Sequence, residues 1–188
     1  MTRLFPAAVL VALALTGAAA AQPPEPRDTA VPLRGPAAPQ AQTISAVAEL
    51  ERQTLVAIND IRREHGLNPL RANAQLAAAA REHSRSMAEH GFFRHASYDG
   101  SAFWRRIKPV FPPARGRYWG AGENMVWASP GLSAQTAVEM WLKSPPHRKN
   151  LLTPSWREVG IGGVHALAAP GVFQGLDVTI VVADFGVR

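Results

Sequence analysis

The spacing of apolar side chains predicts three amphipathic helices in the middle of the chain. Between residues 45 and 65, apolar residues recur every three or four positions, which is the period of a helix with one buried face. The alanine-rich segment after Asn73 repeats this pattern, so we predict a long helix that is capped by Asn73 and ends at Gly91. Ser133 begins a third such segment, which the Pro145–Pro146 pair cannot continue as helix.

Strands are predicted mainly in the last third of the chain. Residues 159–164 and 178–185 are rich in Val and Ile, and a loop around Pro170 separates them. We expect these two runs to pair, with a third strand within residues 119–127 and a short helix over residues 101–107. Because helices precede most of the strands, the order favours an α+β fold with an antiparallel sheet over a doubly wound parallel sheet.

The first 42 residues differ in composition from the rest of the chain. Residues 1–21 combine one positive charge, an apolar run and small residues near Ala20 and Ala21, which together indicate a secretory signal peptide. The alternative, an uncleaved membrane anchor, would need a longer apolar core. Residues 22–42 contain six prolines and almost no large apolar residue, so we predict an extended linker before a folded domain at residues 43–188.

Composition narrows the class of protein. The chain has 188 residues, of which 47% are hydrophobic and 18% charged, and this is enough for one packed domain. Its net charge of +6 comes almost entirely from arginine, and no basic recognition helix accompanies it, so we expect no nucleic-acid partner. The chain has no cysteine, so its core must hold the fold without disulfides. We expect a secreted or periplasmic monomer with no transmembrane helix in the mature protein.

Three polar side chains stand where a metal site or a reactive cleft would need them. His95 follows the helix end at Gly91 within an aromatic loop, His147 follows two prolines, and Glu123 lies in the glycine-flanked segment 120–125. Two imidazoles and a carboxylate are ligands that suit an open zinc site. Intervals of 28 and 24 residues separate the three positions, so spacing alone does not bring them together, and packing or hydrogen bonding is the alternative role for each.

Several motifs in the predicted domain resemble the bacterial branch of the CAP superfamily, which comprises cysteine-rich secretory proteins, antigen 5 and plant pathogenesis-related proteins. The resemblance covers residues 43–188, and its motifs follow the order of the family. They are Asn59–Arg62 with Leu67–Leu70, His95, Gly122–Asn124, Ala137–Leu152, Glu158–Gly162 and Val182–Gly186. The resemblance implies an α-β-α sandwich with a central antiparallel sheet and a large open cleft.

The resemblance also implies a set of cleft residues. In many members two His and two Glu can hold Zn²⁺ or another divalent cation, and His95, Glu123 and His147 match three of these four positions. The fourth position holds Ser144, a change that bacterial relatives often show and that weakens the case for paired-carboxylate catalysis. Asn124 and Ser144 are the expected neighbours within the cleft.

Two functions and one structural alternative follow from these residues. The leading hypothesis is an exported binding module with a divalent-metal site at His95 and His147 and a lipid or cell-envelope ligand beside it. The alternative function is a metal-dependent peptidase or esterase in which Glu123 acts as catalytic base on a zinc-bound water. The structural alternative makes Glu123 and both histidines hydrogen-bonded supports of the cleft.

A second candidate surface lies within residues 104–119, where basic and aromatic side chains alternate without an acid. Its basic members are Arg105, Arg106, Lys108, Arg115 and Arg117. Such a mixture suits contact with a membrane or a glycan through ring stacking and phosphate pairing. The alternative is a solvated insertion whose aromatic side chains pack beneath the cleft.

Overall fold

A central sheet organises residues 43–188, which are the residues that the computed structural model describes. The predicted signal peptide and linker lie outside the described residues. The strands, in chain order, are β1 (Ile44–Ala46), β2 (Arg71–Ala72), β3 (Gly120–Ala128), β4 (Glu158–Ala169) and β5 (Leu176–Val187). They follow the order β1-β4-β5-β3 with antiparallel pairing, and β2 adds a short parallel pairing to β4.

Helices cover both faces of this sheet. They are α1 (Ala48–Glu64), α2 (Ala74–His90), α3 (Trp104–Ile107), α4 (Ala134–Lys143) and α5 (Pro145–Leu151), and a 3₁₀ turn spans Gly171–Phe173. Alternation along β5 separates two cores, because Val181 packs in the cluster that includes α1 and α4, whereas Val182 packs in the cluster that includes α2. The predicted α+β class and the α-β-α sandwich are therefore confirmed.

The caps predicted for the two clearest helices are present. The Asn73 side chain accepts a hydrogen bond from the Leu76 N–H at 2.9 Å, and Gly91 ends α2 in the left-handed conformation. The Ser133 hydroxyl accepts from the Thr136 N–H at 3.1 Å at the start of α4. The helices in residues 43–188 are all too short or too polar to span a membrane.

The boundaries predicted for the first helix and for the segment after the third helix are wrong. The first helix begins at Ala48 rather than at residue 45, because Ile44–Ala46 pairs with β4 as strand β1. Pro145 and Pro146 end α4 as expected, but they also start α5, where the first turn of a helix needs no N–H donor. His147 therefore lies in the first turn of α5.

Candidate functional site

The edge strand β3 brings residues from both helical layers to one cleft of about 310 Å³. Glu123 lies on β3, His95 lies in the loop after α2, and His147 lies in the first turn of α5. All three line the cleft, together with Phe103, Gly122, Asn124, Pro146 and Asn150. The structure thus brings together the three residues that the sequence separates.

Glu123 is the buried centre of this site. Its side chain has no exposed surface, and its Oε1 accepts a hydrogen bond from His95 Nδ1 at 2.7 Å. Arg106 Nη2 donates to the other oxygen, Oε2. Burial acts to raise the pKa of Glu123, but the His95 hydrogen bond and the Arg106 charge outweigh burial and lower this pKa below its usual value. Glu123 is therefore an ionised carboxylate with both oxygens engaged.

The two histidines differ in their surroundings. His95 has a side chain that is 49% exposed, and because its Nδ1 bonds Glu123, its Nε2 is the nitrogen left for a ligand. The His147 ring centroid lies 6.4 Å from that of His95. Burial, followed by repulsion from His95, lowers the pKa of His147, so its imidazole is neutral at pH 7.

An amide network connects the edge strand to α5. Asn124 Nδ2 donates to the His147 carbonyl at 3.0 Å, and Asn150 Nδ2 donates to Asn124 Oδ1 at 3.0 Å. Trp156 Nε1 in turn donates to the Asn150 carbonyl at 2.9 Å. A side chain at position 122 would place its Cβ 2.8 Å from the Trp156 ring, so Gly122 allows this close packing.

A buried histidine fixes the loop that carries His95. His83 Nε2 lies 3.0 Å from the Arg94 carbonyl, and burial, with the nearby Arg106 charge, lowers the pKa of His83 to about 4. His83 is therefore neutral and donates through Nε2. Arg106 Nη1 also donates to the His95 carbonyl at 3.0 Å, so two hydrogen bonds hold the loop from beneath.

Sequence reasoning missed two residues of the site, Arg106 and Asp184. Arg106 was grouped with a basic surface, but its side chain turns inward to Glu123. Asp184 pairs with Glu123 across the β3–β5 ladder and is fully buried. Burial and the Glu123 charge raise its pKa well above the usual value, so Asp184 is protonated. In the sequence, Asp184 could have been noticed as the one acid within the apolar run 178–185.

The donor set does not fit a three-ligand zinc centre. Zinc sites with an open position usually have three protein ligands. The third ligand here would be Glu123, but its carboxylate is already paired with the Arg106 cation. Across the described range 43–188, His, Cys, Asp and Glu side chains form no group of three or more that could hold a metal ion. His95 and His147 are the two nitrogen donors that remain in the cleft.

Of the two residues predicted as neighbours of the site, one lines the cleft and the other does not. Asn124 lines the cleft, whereas Ser144 is not among the lining residues and joins the end of α4 to the start of α5 in an extended conformation. The aromatic side chains of the basic and aromatic surface differ in their exposure to solvent. Trp119 is partly buried and donates through Nε1 to the Phe111 carbonyl at 2.7 Å, whereas Trp104 and Tyr118 are exposed.

Comparison with known families agrees with this architecture. The sequence profile of the CAP family, described as the cysteine-rich secretory protein family, matches residues 55–168, which is more than half of the chain. The chain belongs to the CAP family. Its CAP domain lacks the cysteines that the family description names, so packing of apolar side chains holds its core without disulfides.

Two proteins of Bacillus subtilis strain 168 are similar in sequence to this CAP domain. The protein YkwD is 31% identical over 122 residues, which are 65% of this chain and 45% of YkwD. The membrane protein YlbC is 33% identical over 112 residues, which are 60% of this chain and 31% of YlbC. The aligned region therefore spans less than half the length of each relative.

Two solved structures share the CAP fold. An extracellular protein of Bacillus anthracis that contains an SCP domain superposes with a TM-score of 0.59 at 25% identity, over 75% of this chain and 41% of that one. An outer surface protein of Borrelia burgdorferi superposes with a TM-score of 0.57 at 21% identity, over 78% of this chain and 99% of that one. Both likenesses confirm the fold.

Proposed function

We propose that this chain is an exported CAP-domain protein that binds a lipid or cell-envelope ligand in the cleft between His95 and His147. The observation that carries the proposal is the buried Glu123 carboxylate, which is engaged by His95 on one oxygen and by Arg106 on the other. A carboxylate held in this way orients His95 and has no exposed surface from which to take a proton. The geometry therefore favours binding over general-base catalysis, and a catalytic role for Glu123 stays a prediction.

The lining of the cleft suits an amphipathic ligand. Phe103 and Pro146 provide apolar surface, whereas His95, His147 and Asn124 provide polar groups. Binding pockets commonly combine an apolar wall with a few placed polar groups that fix orientation. The extracellular Bacillus anthracis protein and the outer surface protein of Borrelia burgdorferi support export of this chain, as does the signal peptide predicted for residues 1–21.

A divalent cation such as Zn²⁺ stays a proposal for His95 and His147 alone. Glu123 offers no free oxygen to such an ion, because Arg106 neutralises the same carboxylate. A calorimetric zinc titration of the full chain tests this part of the proposal, and binding that is lost in the double variant His95→Ala/His147→Ala would support it. A heat of titration equal to that of the buffer blank would contradict metal binding in the cleft.

A fluorescence titration of the full chain with a fluorescent fatty acid tests the ligand class. We expect saturable binding that His95→Ala/His147→Ala weakens by at least about tenfold. The matched control is His65→Ala/His90→Ala, which removes two exposed histidines outside the cleft and should change affinity by less than about twofold.

Three results would contradict the binding proposal. Equal weakening in the cleft variant and in the control would place the fatty acid elsewhere, and absence of saturable binding would remove the lipid class. Turnover of a chromogenic ester or peptide that Glu123→Gln abolishes would replace the proposal with the hydrolase alternative. Circular dichroism of each variant checks that loss of binding does not come from loss of fold.

A further inference from the structure

One end of the sheet gathers four arginines from four separate parts of the chain. Together with Tyr118, Glu158 and Val187 they line a pocket of about 360 Å³; the four are Arg71, Arg117, Arg157 and Arg188. This arginine pocket shares no lining residue with the cleft at His95 and His147. It is therefore a separate candidate site.

Backbone pairing fixes where the four arginines lie. The Arg71 N–H donates to the Arg157 carbonyl at 3.0 Å, and the Arg157 N–H donates to the Gly186 carbonyl at 3.0 Å. Gly120 pairs with Val187 across β3 and β5, which brings the segment of Arg117 to the same end of the sheet. The pocket is thus a product of sheet register rather than of a flexible loop.

The charges of the pocket are unbalanced. Glu158 is the one acid among its lining residues, and it is already engaged by Asn73 Nδ2 at 2.7 Å and by Arg71 at 3.8 Å. Within residues 43–188, Arg117, Arg157 and Arg188 make no salt bridge. Four cationic side chains against one anionic side chain leave an excess of three positive charges, which favours a multivalent anion.

Two of the guanidinium groups are held in place before any ligand binds. Arg157 Nη1 donates to the carbonyls of Pro154 and Trp156, both at 2.9 Å. The Arg188 guanidinium lies 4.1 Å from the centroid of the Phe111 ring. A planar guanidinium has five N–H donors that match phosphate oxygens in pairs, so groups fixed in this way lose little freedom on binding.

We propose that the arginine pocket binds a ligand that presents two phosphoryl groups. A diphosphate carries about three negative charges at neutral pH and offers oxygens to several guanidinium groups at once. The ligand that supplies the two phosphoryl groups is either a soluble diphosphate or the headgroup of a doubly phosphorylated lipid. Tyr118, which is 74% exposed at the rim, offers a ring face to the remainder of the ligand.

Calorimetry of the full chain with inorganic pyrophosphate tests the site. We expect Arg71→Gln/Arg117→Gln to weaken binding by at least about tenfold, because both side chains lie in the pocket. The matched control is Arg52→Gln/Arg63→Gln, which removes the same charge from exposed positions of α1 and should weaken binding by less than about threefold. Orthophosphate at equal ionic strength should bind more weakly than pyrophosphate.

Further measurements distinguish the possible outcomes of this experiment. The cleft variant His95→Ala/His147→Ala should bind pyrophosphate as the unmodified chain does, so failure of the cleft proposal leaves this one intact. Equal weakening in both arginine variants, or no binding heat, would overturn the arginine pocket. Co-sedimentation with phosphatidylcholine vesicles containing cardiolipin identifies a lipid source if pyrophosphate competes, and pyrophosphate binding without vesicle binding identifies a soluble source.

Discussion

Glu123 and Asp184 are neighbouring acids whose pKa values move in opposite directions. Both are buried, and they face each other across β3 and β5. His95 and Arg106 hold Glu123 in its ionised form, and that negative charge, added to burial, keeps Asp184 protonated. Two carboxyl groups can lie side by side in the interior because only one of them carries charge.

The first prediction concerns the cation beside Glu123. Arg106→Gln should lower the free energy of unfolding by about 3 kcal/mol or more, because it leaves a buried carboxylate without its charged partner. Urea denaturation measures the loss. Arg105→Gln is the matched control, since Arg105 is exposed on the same helix and its loss should cost less than about 0.5 kcal/mol.

A double variant makes this prediction specific to the charge pair. Arg106→Gln/Glu123→Gln removes both charges and should recover a large part of the stability that Arg106→Gln loses. Equal losses in Arg106→Gln and Arg105→Gln, or a double variant less stable than either single one, would contradict the pairing.

The second prediction follows from the raised pKa of Asp184. Between the usual pKa of 3.8 and the raised value, the native protein keeps a proton that the unfolded chain has lost, so this group makes stability fall as pH rises. The slope is at most about 1.4 kcal/mol per pH unit. Asp184→Asn has no such proton, and its stability relative to the unmodified chain should increase from pH 4 to pH 7.

Urea unfolding of both proteins at several pH values between about 4 and 7 measures this difference. The slope from His83, whose lowered pKa acts in the opposite direction, is present in both proteins and cancels. Asp60→Asn, at an exposed position of α1, is the matched control. A difference between Asp184→Asn and the unmodified chain that stays constant with pH would mean that Asp184 is ionised.

At the scale of elements, α2 lies unusually close to β4. A Cβ at position 162 would lie 2.6 Å from the Arg81 Cα atom, and one at position 160 would meet the backbone of Leu76 and Ala77. Ser84 Oγ also donates to the Gly162 carbonyl at 3.0 Å. Glycine in β4 thus sets the distance between the helix that leads to His95 and the sheet that carries Glu123.

The third prediction tests this close approach. Gly162→Ala should lower the free energy of unfolding by about 2 kcal/mol or more, because backbone rather than a movable side chain occupies the space of the new methyl group. Gly131→Ala is the control, since no atom lies within 4 Å of its added Cβ. Thermal or urea unfolding compares the two, and equal stability would show that α2 shifts without cost.

Elements with signals in their own residues could be predicted, whereas elements decided by pairing could not. Asn73 and Gly91 marked both ends of α2 because capping depends on local chemistry. Strand β1 has three residues and owes its conformation to β4, so the apolar spacing from residue 45 predicts helix where the chain forms a strand. Helix α5 was missed because Pro145 reads as a helix stop although it is also a favoured first residue.

At the scale of the whole molecule, the site combines what motifs can predict with what only the sheet order decides. His95, Glu123 and His147 were identified through motifs, and the edge position of β3 brings them together. Arg106 belongs to no such motif, and Asp184 lies in the motif Val182–Gly186, which assigns it no role in the site. Their roles depend on the Arg106 side chain reaching Glu123 and on the register between β3 and β5. Long sequence separations hide such partners from periodicity and spacing.

Arg62 links helix α1 to the end of α5, the helix that contributes His147 to the cleft. It is fully buried on α1, and its Nη1 donates to the carbonyls of Leu151 at 2.8 Å and Thr153 at 3.1 Å, at and just beyond the end of α5. Its Nε donates to the Asn68 carbonyl at 3.0 Å. Because α5 carries His147, this one side chain links the first helix to the position of a cleft residue.

The fourth prediction is that Arg62→Gln affects both stability and the cleft. We expect a loss of about 3 kcal/mol, because the shorter side chain leaves buried carbonyls without donors. Amide hydrogen exchange in α5 should become faster and fatty-acid binding weaker, whereas Arg63→Gln, at the exposed neighbouring position, should change neither. Lower stability with unchanged exchange in α5 would contradict this link and limit the role of Arg62 to the core.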